Sequence, residues 1–575
     1  MRSIVLVILV PFLMLVPSVH VTAATPASAV TRDLQPVILH GSDAPWLSTS
    51  ARYVPTPPPP MTEWDGSGTI VPAPDGSTSG WPVDQIAAFR WDPASASLTQ
   101  ITLQVDERFS RYLTNYASGF GIYSQSDLEE TYAFDWEGKK KECEAPGDPL
   151  TADFCPGAIT MMDPVAGLDD NDELVLMWSD LGAFRMMDAP VGIALPHEIA
   201  VTDPLTHQTR YAYILGEDAP VTQPASLVSI TPDADADAYI QSNHGDYGGA
   251  PGGACHLGDG VDGDFTQTSA NCDHRRPKDS AWVTTPSYQF HYDGRWKLDG
   301  LKLKQPDGSW SDSVVDRWKG RAFQQKEGNA ADVGGFEDEN DWSQSSVTLG
   351  VRSGPLRVLR ETWGADSGTD VTRLDAFYPS FFSQVYHLRV HPIPPDGLYA
   401  FWDNKAGMMD TYYTPLRAQG VPIDGHDDEL YGTNSEWQQD YLGKPYFTID
   451  APDPTFQPPA ANENWDEVAG PFGSLVTYIH TPVGVQAGAL TPYYRDDATF
   501  DDGTGSQPGS YGAHGIHFFF TSDTDNFFLP VPTDEFVATT TQYVLSAGVG
   551  NVGDQVAQLE RVPLVIEPLN GPTGA

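Results

Sequence analysis

Asp169, Asn171, Glu173 and Asp180 stand at positions 1, 3, 5 and 12 of one acidic stretch. That is the spacing with which the oxygen side chains of an EF-hand loop surround a single hard cation. Only oxygen donors are on offer, so Ca²⁺ is the ion this chemistry suits. Position 6 breaks the pattern, because Leu174 stands where the sharp turn needs glycine and the apolar run Leu174-Val175-Leu176-Met177-Trp178 follows. Two readings stay open: a Ca²⁺ site of β-protein type that draws further ligands from elsewhere, and a solvated Asx-rich turn leading into a core strand.

A second set of donors lies between Asp233 and His274. It comprises Asp233, Asp235, Asp237, Asp246, Asp259, Asp262 and Asp264, with His244, His256 and His274 among them. Clustered carboxylates on a glycine-rich backbone suit Ca²⁺ and the imidazoles suit a transition metal, but no fixed spacing chooses between them. His387 and His391 are four apart, yet Val385-Tyr386-His387-Leu388-Arg389-Val390-His391 alternates as a strand does. A strand separates two such positions by about 13 Å, too far to share a zinc ion.

Carbohydrate chemistry would need carboxylates beside aromatic platforms, since sugar rings offer apolar faces to stack and glycosidic oxygens to protonate. Trp402, Trp437 and Trp465 are the candidate platforms; Glu361, His387 and Asp403 are the candidate acids and bases near them. No G-x-S-x-G, H-E-x-x-H, P-loop or Rossmann glycine pattern occurs. Serine hydrolase, zincin and nucleotide-dependent readings therefore lack support.

The elements that must hold these residues can be read from composition. Lys and Arg number 32 against 78 Asp and Glu, a net charge of -46 over 575 residues. Such a surface repels nucleic acid and anionic membrane. Residues 1–29 read as a secretory signal: Met1-Arg2-Ser3, an apolar run from Ile4 to Val16, then small residues at Ala27-Ser28-Ala29. The run is too short to span a bilayer. A soluble, secreted or periplasmic protein is predicted. In that setting Cys143 with Cys155 and Cys255 with Cys272 are expected to close two local disulfide loops.

Glycine (53) and proline (49) punctuate the chain throughout, between short runs rich in Val, Ile, Thr, Tyr, Phe and Trp. This predicts an all-β fold. We expect a Pro-rich linker over residues 30–60, an N-terminal β-sandwich over 61–225, a disulfide-tied Gly/Asp-rich loop region over 226–277 and a C-terminal β-sandwich over 278–575. In the first sandwich Gln100 to Asp106 should alternate, with Ile101, Leu103 and Val105 on the buried face.

In the last unit, Val347 to Trp363 reads as a strand, the turn Ser353-Gly354-Pro355, and a second strand carrying Arg357 and Arg360 outward. That arrangement resembles the large β-supersandwich of galactose-mutarotase-like domains and some polysaccharide-active enzymes. The resemblance covers the strand pattern of roughly the last 300 residues, and it brings no catalytic residue with it.

The function expected is that of an exported, Ca²⁺-stabilised β-sandwich protein that binds or acts on carbohydrate, with polysaccharide as partner. Two alternatives remain: a non-enzymatic surface or matrix component, and a metal-dependent exported enzyme centred on the Asp233–His274 loop.

Overall fold

The computed structural model describes residues 30–57, 64, 66–112, 128–138, 162–185, 197–242, 274–322, 337–339, 343, 346–363, 370–389, 398–415, 417–426, 437–439, 445–447, 464–480, 490–499, 507–518 and 536–569. Residues 1–29, read as a secretory signal, and all four cysteines lie outside them, as do most of the Asp233–His274 donors and His391. The fold is all-β, as predicted, with several antiparallel sheets and, among the described residues, the short helix Gly553–Arg561. Among the described residues no helix is long and apolar enough to cross a membrane.

The N-terminal sandwich pairs two sheets. One has the order Pro36–His40, Glu173–Met177, Gln104–Asp106; the other runs Val565–Leu569, His197–Asp203, Gln208–Gly216, Ile86–Asp92, Ser97–Ile101. Leu39, Val105, Leu174 and Leu176 from the first meet Ile86, Ile199, Val201, Ala212 and Ile214 from the second in one core. Residues 30–57, expected as a linker, are folded instead. The strand Pro36–His40 runs antiparallel to Glu173–Met177, and Val37 and Leu39 are buried. The run Pro36-Val37-Ile38-Leu39 is short enough to be overshadowed in the sequence by the prolines that follow it. In the sequence Glu198 to Thr202 and Thr209 to Ile214 read as two strand-like runs joined by the turn-forming Asp203 to His207, and they form a hairpin with His207 at positive φ in its turn.

The second part contains a nine-stranded sheet ordered Val347–Ser353, Val358–Trp363, Asp370–Phe377, Phe381–Arg389, Phe536–Ser546, Gly473–His480, Trp465–Gly470, Thr411–Tyr413, Val421–Pro422. One face packs with two five-stranded sheets in the largest core, where Val358, Phe377 and Phe382 meet Phe290, Leu301 and Trp402. The other face takes Val556 and Ala557 of the helix, and also Val175 and Met177 of the N-terminal sandwich. The strand Glu173–Met177 therefore has two buried faces, Leu174 and Leu176 toward one core and Val175 and Met177 toward another. This is why its sequence is a continuous apolar run with no alternation.

The same contact explains a second departure. Ile101, Leu103 and Val105 join the N-terminal core as expected, but Thr102, Gln104 and Asp106 opposite them are buried too. Gln104 accepts from the backbone N–H groups of Leu356 and Arg357 at 2.9 Å each, and Asp106 accepts from Arg357 at 2.8 Å. Arg357 and Arg360, expected to face outward, are thus inward: they are 2% and 0% exposed. Each sits among carboxylates, Arg360 with Asp279 at 3.1 Å and Asp375 at 3.3 Å.

Candidate metal centre

The loop ahead of Glu173–Met177 is shaped by backbone bonds to two other segments. Gly41 donates to the Asp172 carbonyl at 2.8 Å, Asp170 donates to Thr49 at 3.1 Å, and Leu168 donates to Trp81 at 2.8 Å. The packing is close enough that a Cβ at Gly41 would come within 1.7 Å of the Asp169 carbonyl oxygen. Any side chain there would force the loop out of position.

Inside this loop Asp163, Asp169 and Asp172 bring one carboxylate oxygen each to within 4.8 Å of one another. Asp172 is 0% and Asp169 3% exposed. Asp172 accepts from the Arg108 backbone N–H at 2.8 Å and the Asp169 N–H at 2.9 Å; Asp169 accepts from the Asn171 N–H at 3.2 Å. Asp163 accepts from the Val165 N–H at 2.8 Å, while its other oxygen is buried with no hydrogen-bond partner. Burial first, and the neighbouring acids second, push all three carboxyls up: Asp163 to about 8, Asp169 to about 7 and Asp172 to about 9. The charges acting on them most strongly, Glu107, Glu130, Asp170 and one another, are all negative. Ligands of one Ca²⁺ at ~2.4 Å lie up to ~5 Å apart, so three oxygens in this spread could share an ion.

Of the four residues whose spacing suggested a cation, Asp169 alone belongs to this group. Asn171 turns outward, donating its amide to Glu130 at 2.6 Å and to the Arg108 carbonyl at 3.2 Å. Glu173 begins the strand and points to its opposite face. There it pairs closely with Arg357, lies 3.2 Å from Arg108 and accepts from the Tyr132 hydroxyl at 3.2 Å. Asp180 follows the strand, in the turn Trp178–Asp180, about 16 Å of extended chain away. Asp163 and Asp172 were missed. Asp163-Pro164 is a turn-initiating pair that could have drawn attention to the first, and Asp172 lies inside the stretch already singled out.

The carbohydrate candidates are dispersed. Trp402 is 4% exposed, edge-on to Phe290 and Phe382 at 5.7 Å each, in the middle of the largest core. Trp465 is 3% exposed under the helix Gly553–Arg561, donating to Asp554 at 3.0 Å. Neither ring has a face to offer a sugar. Trp437 lies on a described strand, but its side chain is outside the described residues.

Glu361 is buried and accepts from Thr131 at 2.5 Å; His387 Nδ1 is 3.1 Å from Glu129; Asp403 is buried against Lys319 at 2.9 Å. Burial raises the Asp403 carboxyl, offset in part by Lys319. Glu361 and His387 share a face of the nine-stranded sheet but stand two strands apart, about 12 Å, and Asp403 belongs to another sheet. These groups do not form a catalytic pair.

No protein-family model matches this sequence, and no curated protein is similar to it. Among solved structures the chain is similar to an alpha-mannosidase from Enterococcus faecalis V583, at 7% identity over 95% of this chain and 47% of that one, with a TM-score of 0.38. It is similar also to an alpha-N-acetylgalactosaminidase from Bifidobacterium bifidum, at 10% identity over 46% of this chain and 36% of that one, TM-score 0.27. A third is a galactose 1-epimerase from Lactobacillus acidophilus NCFM, at 14% identity over 49% of this chain and 97% of that one, TM-score 0.26. The chain spans about half the length of the mannosidase.

Proposed function

We propose that the protein is an exported β-sandwich protein whose N-terminal sandwich is stapled by a divalent cation, Ca²⁺, at Asp163, Asp169 and Asp172. One observation carries this reading: three carboxylates converge within 4.8 Å while the charges that act on them most are negative. Left to themselves they must hold protons at neutral pH or repel one another, and a bound cation relieves both costs. The orphaned Asp163 oxygen and the all-oxygen donor set favour a hard ion over zinc or copper. Asp169 and Asp172 are nearly inaccessible, so the ion's part is to hold the loop to Gly41 and Thr49 rather than to activate a substrate.

The test is a melting curve in EDTA and in millimolar Ca²⁺. Ca²⁺ should raise the melting temperature, EDTA should reverse the rise, and Asp172→Asn should abolish it. An unchanged melting temperature at millimolar Ca²⁺ would overturn the proposal.

Carbohydrate binding is the second reading. The observation favouring it is a solvent-facing pocket of about 530 Å³ at one end of the N-terminal sandwich, where Leu181 lies beside the polar residues Arg90, Asp92, Gln208 and Arg210. Export itself rests on the signal-like residues 1–29.

A further inference from the structure

The strand Trp465–Gly470 turns Asp466 toward the largest core, on the same face as Val468. Asp466 is 0% exposed, and both of its carboxylate oxygens are buried without a hydrogen-bond partner. In register it stands opposite Thr477, and Thr477 opposite Gln542, so the three side chains lie side by side on one face of the nine-stranded sheet. Gln542 Nε2 donates to Thr477 Oγ1 at 2.9 Å and reaches His514 Nε2 of the facing sheet at 3.3 Å. His514 Nδ1 donates to the Gly512 carbonyl at 3.1 Å, which also accepts from Asn404 at 2.8 Å. A polar seam therefore crosses the core, from Asn404 in one sheet to Asp466 in the other.

This seam runs short of donors. Asn404 gives its two amide hydrogens to the Tyr511 and Gly512 carbonyls, His514 gives its N–H to Gly512, and Gln542 gives its pair to Thr477 and to His514 Nε2. Asn404 Oδ1, Gln542 Oε1 and both Asp466 oxygens are left over. Buried acceptors are nearly always satisfied, so something must supply hydrogen here. No positive charge acts on Asp466 among the described residues. Burial raises its carboxyl well above the usual range, the Thr477 hydroxyl draws it back in part, and Glu467, on the opposite face of the strand, adds to the rise. The other titratable groups turned into this part of the core are Tyr412 and Tyr494, with rings 4.0 Å apart, and His514. Burial pushes His514 down to about 4, so at neutral pH it offers no charge to a carboxylate.

We propose that Asp466 is a proton-binding site: it is held as a neutral carboxylic acid, donates its hydrogen into the seam, and on losing that hydrogen to solvent releases the short strands at its edge of the sheet. A protonated carboxyl turns one surplus acceptor into a donor, which answers the shortage without any further charge in the core. The ionised form has no partner there, and an unpaired buried carboxylate is stable only if water reaches it. The way in is short. Outboard of Trp465–Gly470 the sheet continues only as Thr411–Tyr413 and Val421–Pro422, three and two residues long, and so few ladder bonds open locally at small cost. The sign follows from the raised carboxyl: the closed edge is favoured at acid and neutral pH and is lost as pH climbs through the folded-state value.

Infrared difference spectra and amide hydrogen exchange of the full chain, both in saturating Ca²⁺, test the proposal. At pH 7 the wild type should show a carboxylic-acid C=O band that Asp466→Asn lacks, and raising the pH should remove that band reversibly. Over the same step, exchange at Thr411–Tyr413 and Trp465–Gly470, corrected for its intrinsic pH dependence, should rise tenfold or more in the wild type and stay level in Asp466→Asn. Asp466→Leu serves the same comparison if the asparagine variant does not fold, since it too carries no proton. Identical spectra of wild type and variant at pH 7 would mean that Asp466 is ionised, and would overturn the proposal. Wild-type exchange as level as the variant's would overturn the release of the edge. Protection by Na⁺ or K⁺ at constant ionic strength, lost in Asp466→Asn, would give the carboxylate a cation in place of its proton and overturn the assignment.

Discussion

Asp172 and Glu173 are neighbours in sequence, both acidic and both buried, and they live in opposite electrostatic worlds. Glu173 starts the strand on the face that meets the nine-stranded sheet, where Arg357 and then Arg108 outweigh the cost of burial and hold its carboxyl below the usual range. Asp172 turns to the other side, where burial and Asp169 push it up to about 9. Strand geometry makes the difference, since successive side chains point to opposite faces. A one-residue shift of register would exchange the two environments. The comparison teaches that a buried carboxylate here is either matched by a guanidinium from a distant segment or gathered with other carboxylates where a cation can match them together.

The strongest way to break the matched side is Arg357→Met. It leaves Asp106 and Glu173 buried without their common partner, and should cost about 3–5 kcal/mol in urea unfolding. A midpoint unchanged from wild type would mean that this network does not hold the two regions together.

The sharpest contrast comes from the neighbours themselves, each neutralised in EDTA. Glu173→Gln should lose about 2 kcal/mol, because charge-assisted bonds to Arg357 and Arg108 go with the charge. Asp172→Asn should gain on the order of 1 kcal/mol by relieving repulsion among the three acids. Equal signs for the two substitutions would erase the distinction drawn here.

Titration separates the same two sites. The cluster carboxyls are raised in the folded state, so their contribution is full at acid pH and is lost as pH climbs through about 7 to 9. Glu173 is depressed, so its contribution is present at neutral pH and is lost as pH falls below the ordinary carboxylate range. In EDTA the melting temperature should therefore drop by a few degrees between pH 6 and pH 9. Saturating Ca²⁺ should remove that alkaline fall and leave the acid limb in place. A fall of equal size with and without Ca²⁺ would detach the ion from the cluster.

Asn171→Ala is the smallest perturbation. Its amide serves Glu130 at the surface, so stability should change by no more than about 0.5 kcal/mol and the Ca²⁺ response should persist. Loss of that response in this variant would return Asn171 to the ligand set.

The fold class, the hairpin at residues 198–214 and the acidic stretch were legible because each depends on local pattern. Turn residues, periodicity and donor chemistry lie within a dozen positions of one another. What escaped depends on partners far along the chain. Asp163 joins Asp169 and Asp172 only when the loop folds back, and its own neighbourhood advertises nothing more than a turn. Arg357 and Arg360 read as outward because arginine on a strand usually is; their carboxylate partners at Asp106, Asp279 and Glu173 come from other segments. Trp402 and Trp465 looked like platforms beside acids, but adjacency in sequence along a strand puts the ring and the acid on opposite faces. Trp402 faces the core accordingly, while Asp403 meets Lys319 on the other side.

The strand Val565–Leu569 pairs with His197–Asp203, and Arg32 donates to the Leu559 carbonyl at 2.9 Å from 527 residues away while pairing with Asp203 at 3.0 Å. The N-terminal sandwich is thus a clasp that the other sheets must be made before closing. For a polypeptide threaded outward in the order of its synthesis, the region that emerges early cannot finish folding until residues near 569 have followed it. The interval is filled with unpaired strand edges in transit, and closing so distant a contact is slow. An acidic chain that repels its own copies during that wait gains protection from aggregation at the moment it is most exposed.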